Sequence, residues 1–157
     1  MRVLHVLHSN QYSGAENVVC QIIEMFKNDK NIEMAYCSRD GQIGKVLKEK
    51  GIIFYPVKDF SKKQLKKAIS DFAPDIIHAH DFRASIACSK FSKKISVVSH
   101  LHNNAPWLKK VCLKSIVYGL SCKKYKRILT VSNSIFNEFI FGKHFTNKVV
   151  CLSLIHI

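Results

Sequence analysis

Short apolar runs of strand length alternate along this chain with amphipathic stretches of helical period. Residues 3–7 (VLHVL) make the first run. A polar loop follows, and Ser13-Gly14-Ala15-Glu16 opens a segment to Lys27 whose Val18, Val19, Ile22, Ile23 and Phe26 make one apolar helical stripe. Asn28-Asp29-Lys30-Asn31 is a turn cluster. Residues 32–37 predict a second strand, and Ile43, Val46 and Leu47 a short helix that stops at Gly51, a helix C′ residue. Residues 52–57 predict a third strand. Ser61 then caps a helix that turns Leu65, Ala68, Ile69 and Phe72 to the core and Lys62, Lys63, Lys66 and Lys67 outward, and Pro74 stops it. Residues 75–81 predict a fourth strand, 83–91 a helix, and 95–102 a fifth strand. A long basic helix runs from Pro106 to about Lys126, residues 128–131 form a sixth strand, Ser134 caps a short helix to Phe141, and Val149 and Val150 begin a seventh strand.

Strands and helices in this alternation predict an α/β fold with a doubly wound, mainly parallel sheet. The first strand, turn and helix are half of a βαβ unit. The carboxyl ends of such strands are where an open sheet binds ligands, so the Ser13-Gly14 turn is the expected rim of a cleft. There is no repeat or linker, and one domain is expected over residues 1–151.

With 157 residues, 47% of them apolar and 23% charged, the chain has the composition of a folded globular protein. No run approaches the ~18 apolar residues of a membrane span. The N-terminus reads as lacking a signal peptide, so a cytoplasmic location is expected. The six cysteines (Cys20, Cys37, Cys88, Cys112, Cys122, Cys151) form no C-x-x-C pair and sit among apolar neighbours, the usage of buried, reduced thiols. The net charge of +14 favours anions as partners: nucleic acid, anionic lipid headgroups or phosphorylated ligands. An AT-rich genome would also supply much of the lysine. The final L-S-L-I-H-I, residues 152–157, matches one reading frame of a common transposon-derived sequencing adapter. It is therefore expected to be a non-native tail, the alternative being a real short strand.

Three places could carry chemistry. At the Ser13-Gly14-Ala15 turn, small residues let backbone approach a phosphate and the helix dipole favours its charge. Two H-x-H pairs, His78/His80 and His100/His102, each point to one face of a strand near its carboxyl end, with Asp81 and Asn103 extending the polar rim. A four-histidine metal site fits that spacing, but packing or polar ligand contacts are the favoured reading, and no metal is expected. The predicted basic helix sets Leu108, Val111, Cys112, Ile116, Val117 and Leu120 against Lys109, Lys110, Lys114, Lys123, Lys124, Lys126 and Arg127. That pattern reads either as a solvated face or as a face docking on anionic lipid headgroups. No nucleic-acid module is present, and no nucleophile elbow, Walker A loop or H-E-x-x-H motif. Glu16 and Glu24 lie eight residues apart, about 80° off a common helix face, so that spacing is read as coincidence.

Together R-V-L-H-V-L-x5-S-G-A-E-N, D-I-I-H-A-H-D, V-V-S-H-L-H-N and the later L-T-V-S-N-S resemble the N-terminal domain of the GT-B glycosyltransferases of family 4. The resemblance spans Met1 to about Val150. It implies a Rossmann-like domain that mainly binds the acceptor and faces, across a cleft, a second domain that holds a nucleotide-sugar donor. It places Ser13, Gly14 and Ala15 near the donor phosphates and His102 at the sugar or the reaction centre. Asn10, His78, His80, Asp81, Asn103 and Ser132 would line the cleft. It further implies retention of anomeric configuration and no cofactor, with the nucleotide-sugar as substrate.

The second glycine of the family's common Gly-Gly pair is Ser13 here, a change that ordinary φ would tolerate. The donor domain, with its Lys/Arg and paired-glutamate segment, is not represented. The chain alone is therefore expected to be inactive. The expected function is the acceptor-side half of a hexosyl-transferring glycosyltransferase of cell-surface polysaccharide or glycolipid synthesis, peripheral at the inner face of the membrane. The rival readings are a non-catalytic binding subunit acting in trans with a separate donor domain, and a general anion-binding α/β module.

Overall fold

In the computed structural model, which describes residues 1–152, the strands are β1 (Arg2–Val6), β2 (Glu33–Arg39), β3 (Phe54–Val57), β4 (Ile76–Ala79), β5 (Ser96–Leu101), β6 (Arg127–Thr130) and β7 (Val149–Cys151). They form one sheet in the order β3-β2-β1-β4-β5-β6-β7, and every neighbouring pair is parallel. Between them run α1 (Gly14–Met25), α2 (Gln42–Glu49), α3 (Lys62–Phe72), α4 (Phe82–Cys88), α5 (Leu113–Cys122) and α6 (Asn133–Asn137). The chain steps from β1 outward to β3, returns through α3 to β4 beside β1, and then proceeds to β7. Right-handed crossovers in opposite directions put helices on opposite faces.

The two faces carry separate cores. One joins Leu4, Val6, Ile77, Val97 and Ile128 of the sheet to Phe72, Ala84, Tyr118 and Phe136 of α3–α6. The other joins Leu7 and Tyr36 to Val19, Cys20 and Ile23 of α1 and to Ile43 and Leu47 of α2.

The local rules hold in detail. Ser61 caps α3, its hydroxyl accepting from the Gln64 amide at 3.4 Å, and the buried residues of α3 are Leu65, Ala68, Ile69 and Phe72. Ala73 closes that helix in the left-handed region at φ 48°, ahead of Pro74. Gly51 follows α2 at φ 63°, a conformation that glycine adopts without strain. On α1 the inward residues are Glu16, Val19, Cys20 and Ile23, whereas Phe26 lies beyond the helix and is exposed. Cys20, Cys37, Cys88 and Cys122 are buried as expected, but Cys112 is half-buried and Cys151 is exposed on β7.

The largest departure is the expected helix from Pro106 to Lys126. It is a 3-10 turn at Pro106–Lys109, an extended break, and then α5. Lys110 takes β backbone angles, and the Ser115 hydroxyl accepts from the Cys112 amide (2.9 Å) and donates to the Lys110 carbonyl (2.7 Å), fixing the helix start after the break. The buried side of α5 is Ser115, Tyr118, Gly119, Ser121 and Cys122. Small residues there let the helix lie close: a Cβ on Gly119 would come within 3.3 Å of the Phe141 ring. The predicted apolar side is split: Val111, Ile116 (41%) and Leu120 (56%) are exposed, Cys112 and Val117 are half-buried and Leu108 is buried, while Leu113, which is not part of that predicted side, is 77% exposed. Lys126 and Arg127 belong to the entry of β6 and not to a helix. Similarly, Ser132 and not Ser134 precedes the helix after β6, which ends at Asn137. The expected tail begins at Leu152, whose amide donates to the Thr130 carbonyl at 2.7 Å; the remainder of that tail lies outside the described residues.

Phe72 is fully buried, packs near Tyr55 and lies under the Arg2 guanidinium, 4.5 Å from the ring centroid. Phe72→Ala is expected to cost about 3–5 kcal/mol of unfolding free energy, read as a fall in the urea midpoint.

Candidate functional site

The carboxyl ends of β1, β4 and β5 open into a cavity of about 890 Å³. Its rim carries Ser13, Gly14 and Ala15 from the β1–α1 turn, His80 and Asp81 after β4, and His102 and Asn103 after β5. The turn is ordinary extended backbone, with Ser13 at φ −143°, so serine in place of glycine costs nothing there. Glu16 reaches back to the Ser13 amide (3.2 Å) and hydroxyl (2.5 Å), so those groups are engaged by the helix's own carboxylate. The open approach is at Gly14, where a Cβ would meet no atom of the described residues within 4 Å. Packing within the chain does not require glycine at that position. Asp81 is likewise engaged: it caps α4 by accepting from the Ala84 amide (2.7 Å) and accepts from the His8 amide (2.8 Å). Asp81 therefore ties the β1 and β4 loops together at the rim of the cleft.

Both H-x-H pairs lie on the sheet face that bears α1, and a fifth histidine joins them. His5 is in register with His78, and one step past the Ala79–Ser99 pair that ends the β4–β5 ladder His80 stands beside His100. His78 stacks on His100 with centroids 5.3 Å and planes 10° apart, while His78–His80 (4.0 Å) and His100–His102 (4.1 Å) meet as tilted pairs. Two ring-to-ring hydrogen bonds cross the stack, His5 Nδ1 with His80 Nε2 (2.9 Å) and His80 Nδ1 with His102 Nε2 (3.1 Å).

Burial drives all five imidazoles toward the neutral form: His5 is pushed down to about 3, His100 to about 2, and His78 and His80 well below the ordinary range. His102 is lowered by the same cause, opposed by the Glu16 and Asp81 carboxylates. Two triads, His5/His78/His80 and His80/His100/His102, bring one ligand nitrogen each within 4.8 Å of one another and could hold an ion. Both triads draw on His80, whose two ring nitrogens are already paired with His5 and His102.

The structure thus brings Ser13, Gly14, Ala15, His80, Asp81, Asn103 and His102 to one cavity and leaves out three other expected residues. Asn10 lines a separate depression with Arg39 and Asp40, its side chain donating to the Asp40 carbonyl at 3.1 Å. Ser132 is bonded to Ser134 at the start of α6 (2.6 Å). His78 lies within the stack and not on the rim. Sequence reasoning missed His5, because it takes the β1–β4 pairing to place it. It also missed His8, Arg83 and Trp107 on the cavity wall. Glu16, set aside with the Glu24 spacing, anchors the turn, while Glu24 is salt-bridged to Lys50 at 2.9 Å. Lys114, expected on a membrane face, also borders the cavity.

The Glycosyltransferase Family 4 model matches residues 12–151. The chain belongs to that family. No curated protein sequence matches the chain. Among solved structures, this family 4 domain is similar to HepE from Anabaena in complex with UDP, with a TM-score of 0.77, 17% identity, and coverage of 97% of this chain and 43% of HepE. The lipopolysaccharide outer core galactosyltransferase WaaB is similar at a TM-score of 0.70 and 16% identity, with 96% of this chain and 44% of WaaB covered. A glycosyltransferase from Rickettsia africae gives 0.63 and 17%, with 96% and 42% covered. WaaB and the Rickettsia africae protein are glycosyltransferases, and what this chain shares with all three solved structures is the Rossmann-like α/β fold. The chain spans less than half the length of the solved proteins it matches.

The buried histidines are expected to make the fold of the family 4 domain acid-sensitive. Their folded pKa values lie below the ordinary 6.5, so the unfolded chain takes up protons first as pH falls. Stability is complete above about pH 6.5 and declines below it by about 1.4 kcal/mol per pH unit for each such histidine until its folded value is reached. The urea midpoint is expected to drop steeply between about pH 7 and 5, and to drop less in His78→Phe/His100→Phe. Equal slopes in the two proteins would show that these imidazoles are not buried neutral.

Proposed function

We propose that this domain is the acceptor-binding half of a retaining glycosyltransferase that moves a hexose from a nucleotide-sugar to a glycan or glycolipid acceptor. In this reading it is inactive without a donor-binding half, uses no cofactor, and works in the cytoplasm at the inner face of the membrane. The observation that carries the reading is the pairing, across one cavity, of an unobstructed glycine at a helix N-terminus with His102. The Gly14 end of α1 offers free N–H groups and the positive dipole end to a leaving diphosphate. His102, a neutral imidazole on the opposite rim, can hydrogen-bond to a sugar or acceptor hydroxyl without a charge of its own. Arg83 and Lys114 add cationic character to the wall. Rate enhancement in such a site comes from positioning and from stabilising developing charge on the leaving group. The UDP and UDP-glucose bound in HepE support nucleotide-sugars as the class to probe.

A membrane-resident acceptor fits the surface beside the cavity. Val111, Leu113, Ile116 and Leu120 are exposed next to Lys109, Lys110 and Lys114, and Leu113 and Lys114 also border the cavity. The apolar positions therefore adjoin both the cationic positions and the cavity mouth. Lys123 extends the patch, together with an adjoining groove of about 590 Å³ that Ile116, Leu120, Phe141 and Lys148 line. Lys124, Lys126 and Arg127 lie further along the chain, at the end of α5 and the entry of β6, and contribute general charge.

Two measurements test the reading. In the protein that joins this domain to a donor-binding half, His102→Ala is expected to lower kcat for transfer from a UDP-sugar by about 100-fold or more. Transfer that appears only when a separate donor domain is added would establish the in-trans subunit reading, and UDP-sugar binding without transfer to any acceptor would overturn the enzyme. For the surface, the domain is expected to co-sediment with phosphatidylglycerol vesicles and not with phosphatidylcholine vesicles. Lys109→Glu/Lys110→Glu/Lys114→Glu should weaken that binding at least tenfold, at about 1 kcal/mol per charge. Equal binding to both vesicle types would remove the anionic membrane from the reading.

A further inference from the structure

The histidine stack contains a continuous hydrogen-bonded chain whose direction can be derived by counting protons. His80 uses both ring nitrogens, Nε2 with His5 Nδ1 at 2.9 Å and Nδ1 with His102 Nε2 at 3.1 Å. A neutral imidazole owns one N–H and one lone pair, so His80 must donate in one bond and accept in the other. The two bonds therefore point the same way. If the protons ran from His102 toward His5, the only N–H of His5 would sit on Nε2, which is buried and has no partner among the described residues. If they run from His5 toward His102, that same Nε2 is merely an unfilled lone pair. An orphaned buried donor is the rarer and costlier defect.

We propose that His80, anchored by His5, is a positioning residue that fixes the tautomer of His102, so that His102 offers an Nδ1–H donor to the cavity. Its Nε2 is consumed as the acceptor of the His80 bond, and Nδ1 is the one ring nitrogen left for a ligand. His102 thereby presents a donor to a substrate oxygen and is unavailable as a neutral-state general base. The stacked His78 and His100 rings wall the chain, and neither nitrogen of His100 has a hydrogen-bond partner among the described residues, so that ring makes no bond that competes for His102. Burial keeps the three linked rings uncharged, the condition that the proton count requires. The functional meaning rests on the transferase reading above, whereas the tautomer itself does not.

The test is long-range proton–nitrogen correlation NMR on the chain labelled with nitrogen-15 histidine, near neutral pH and without nucleotide. His5, His80 and His102 should each show a protonated Nδ1 and a bare Nε2, and a protonated Nε2 on His102 would overturn the proposal. In His80→Phe, His102 should lose its fixed tautomer and show averaged ring nitrogens; retention of the Nδ1–H form there would also overturn it. Should that variant fail to fold, the wild-type spectrum decides the direction alone. Because no sugar-nucleotide is present, failure of the transferase reading leaves this outcome unaffected, and failure here leaves the transferase reading standing.

Discussion

The parallel pairing of β1 with β4 governs the arrangement of this domain. It is the point at which the chain stops building the sheet in one direction and begins building it in the other. At such a point the two crossover helices depart to opposite faces, and the loops that follow the strands separate and leave a crevice. The Ser13-Gly14 turn, the Asp81 cap and the His102 rim face one another because of that departure. Asp81 then fixes the crevice at its rim, its two carboxylate oxygens taking one amide from each side.

The same pairing explains an unusual polar core. Parallel strands buried on both faces ordinarily read as continuous apolar runs. Here one face of β1, β4 and β5 carries five imidazoles in place of branched aliphatics. Buried polar groups are tolerated when their hydrogen bonds are made, and three of these rings satisfy one another while all five share stacked faces. The unpartnered nitrogens of His100 and the outer nitrogens of His5 and His78 are the residual cost. Such a cost is expected where a rim histidine must be held in one orientation and one protonation state.

Beyond the cavity, the break before α5 turns a sequence that reads as one amphipathic helix into two surfaces. The Ser115 cap sets the helix phase, so small residues face the sheet and the larger aliphatics face outward beside lysines. The phase of one helix thus decides whether those aliphatics belong to the core or to an interface.

The fold class and its layered order were legible in the sequence, because strand runs, caps and breakers are local. Ser61, Gly51 and Pro74 mark boundaries that depend on nothing distant. The Gly14 turn and the His80 and His102 ends were legible for the same reason: a βα turn and an i, i+2 pair declare themselves within a few residues. Three features required the tertiary structure. His5 joins the histidines only through the β1–β4 register; Asn10 and Ser132 leave the cavity because their loops bend to Asp40 and Ser134; and α5 takes its phase from Ser115, Gly119 and Phe141. Apart from the local Ser132–Ser134 bond, each is a contact between residues far apart in sequence or a choice between two similar local patterns. Local periodicity cannot resolve such choices, since both alternatives have equal propensity until packing gives one of them partners.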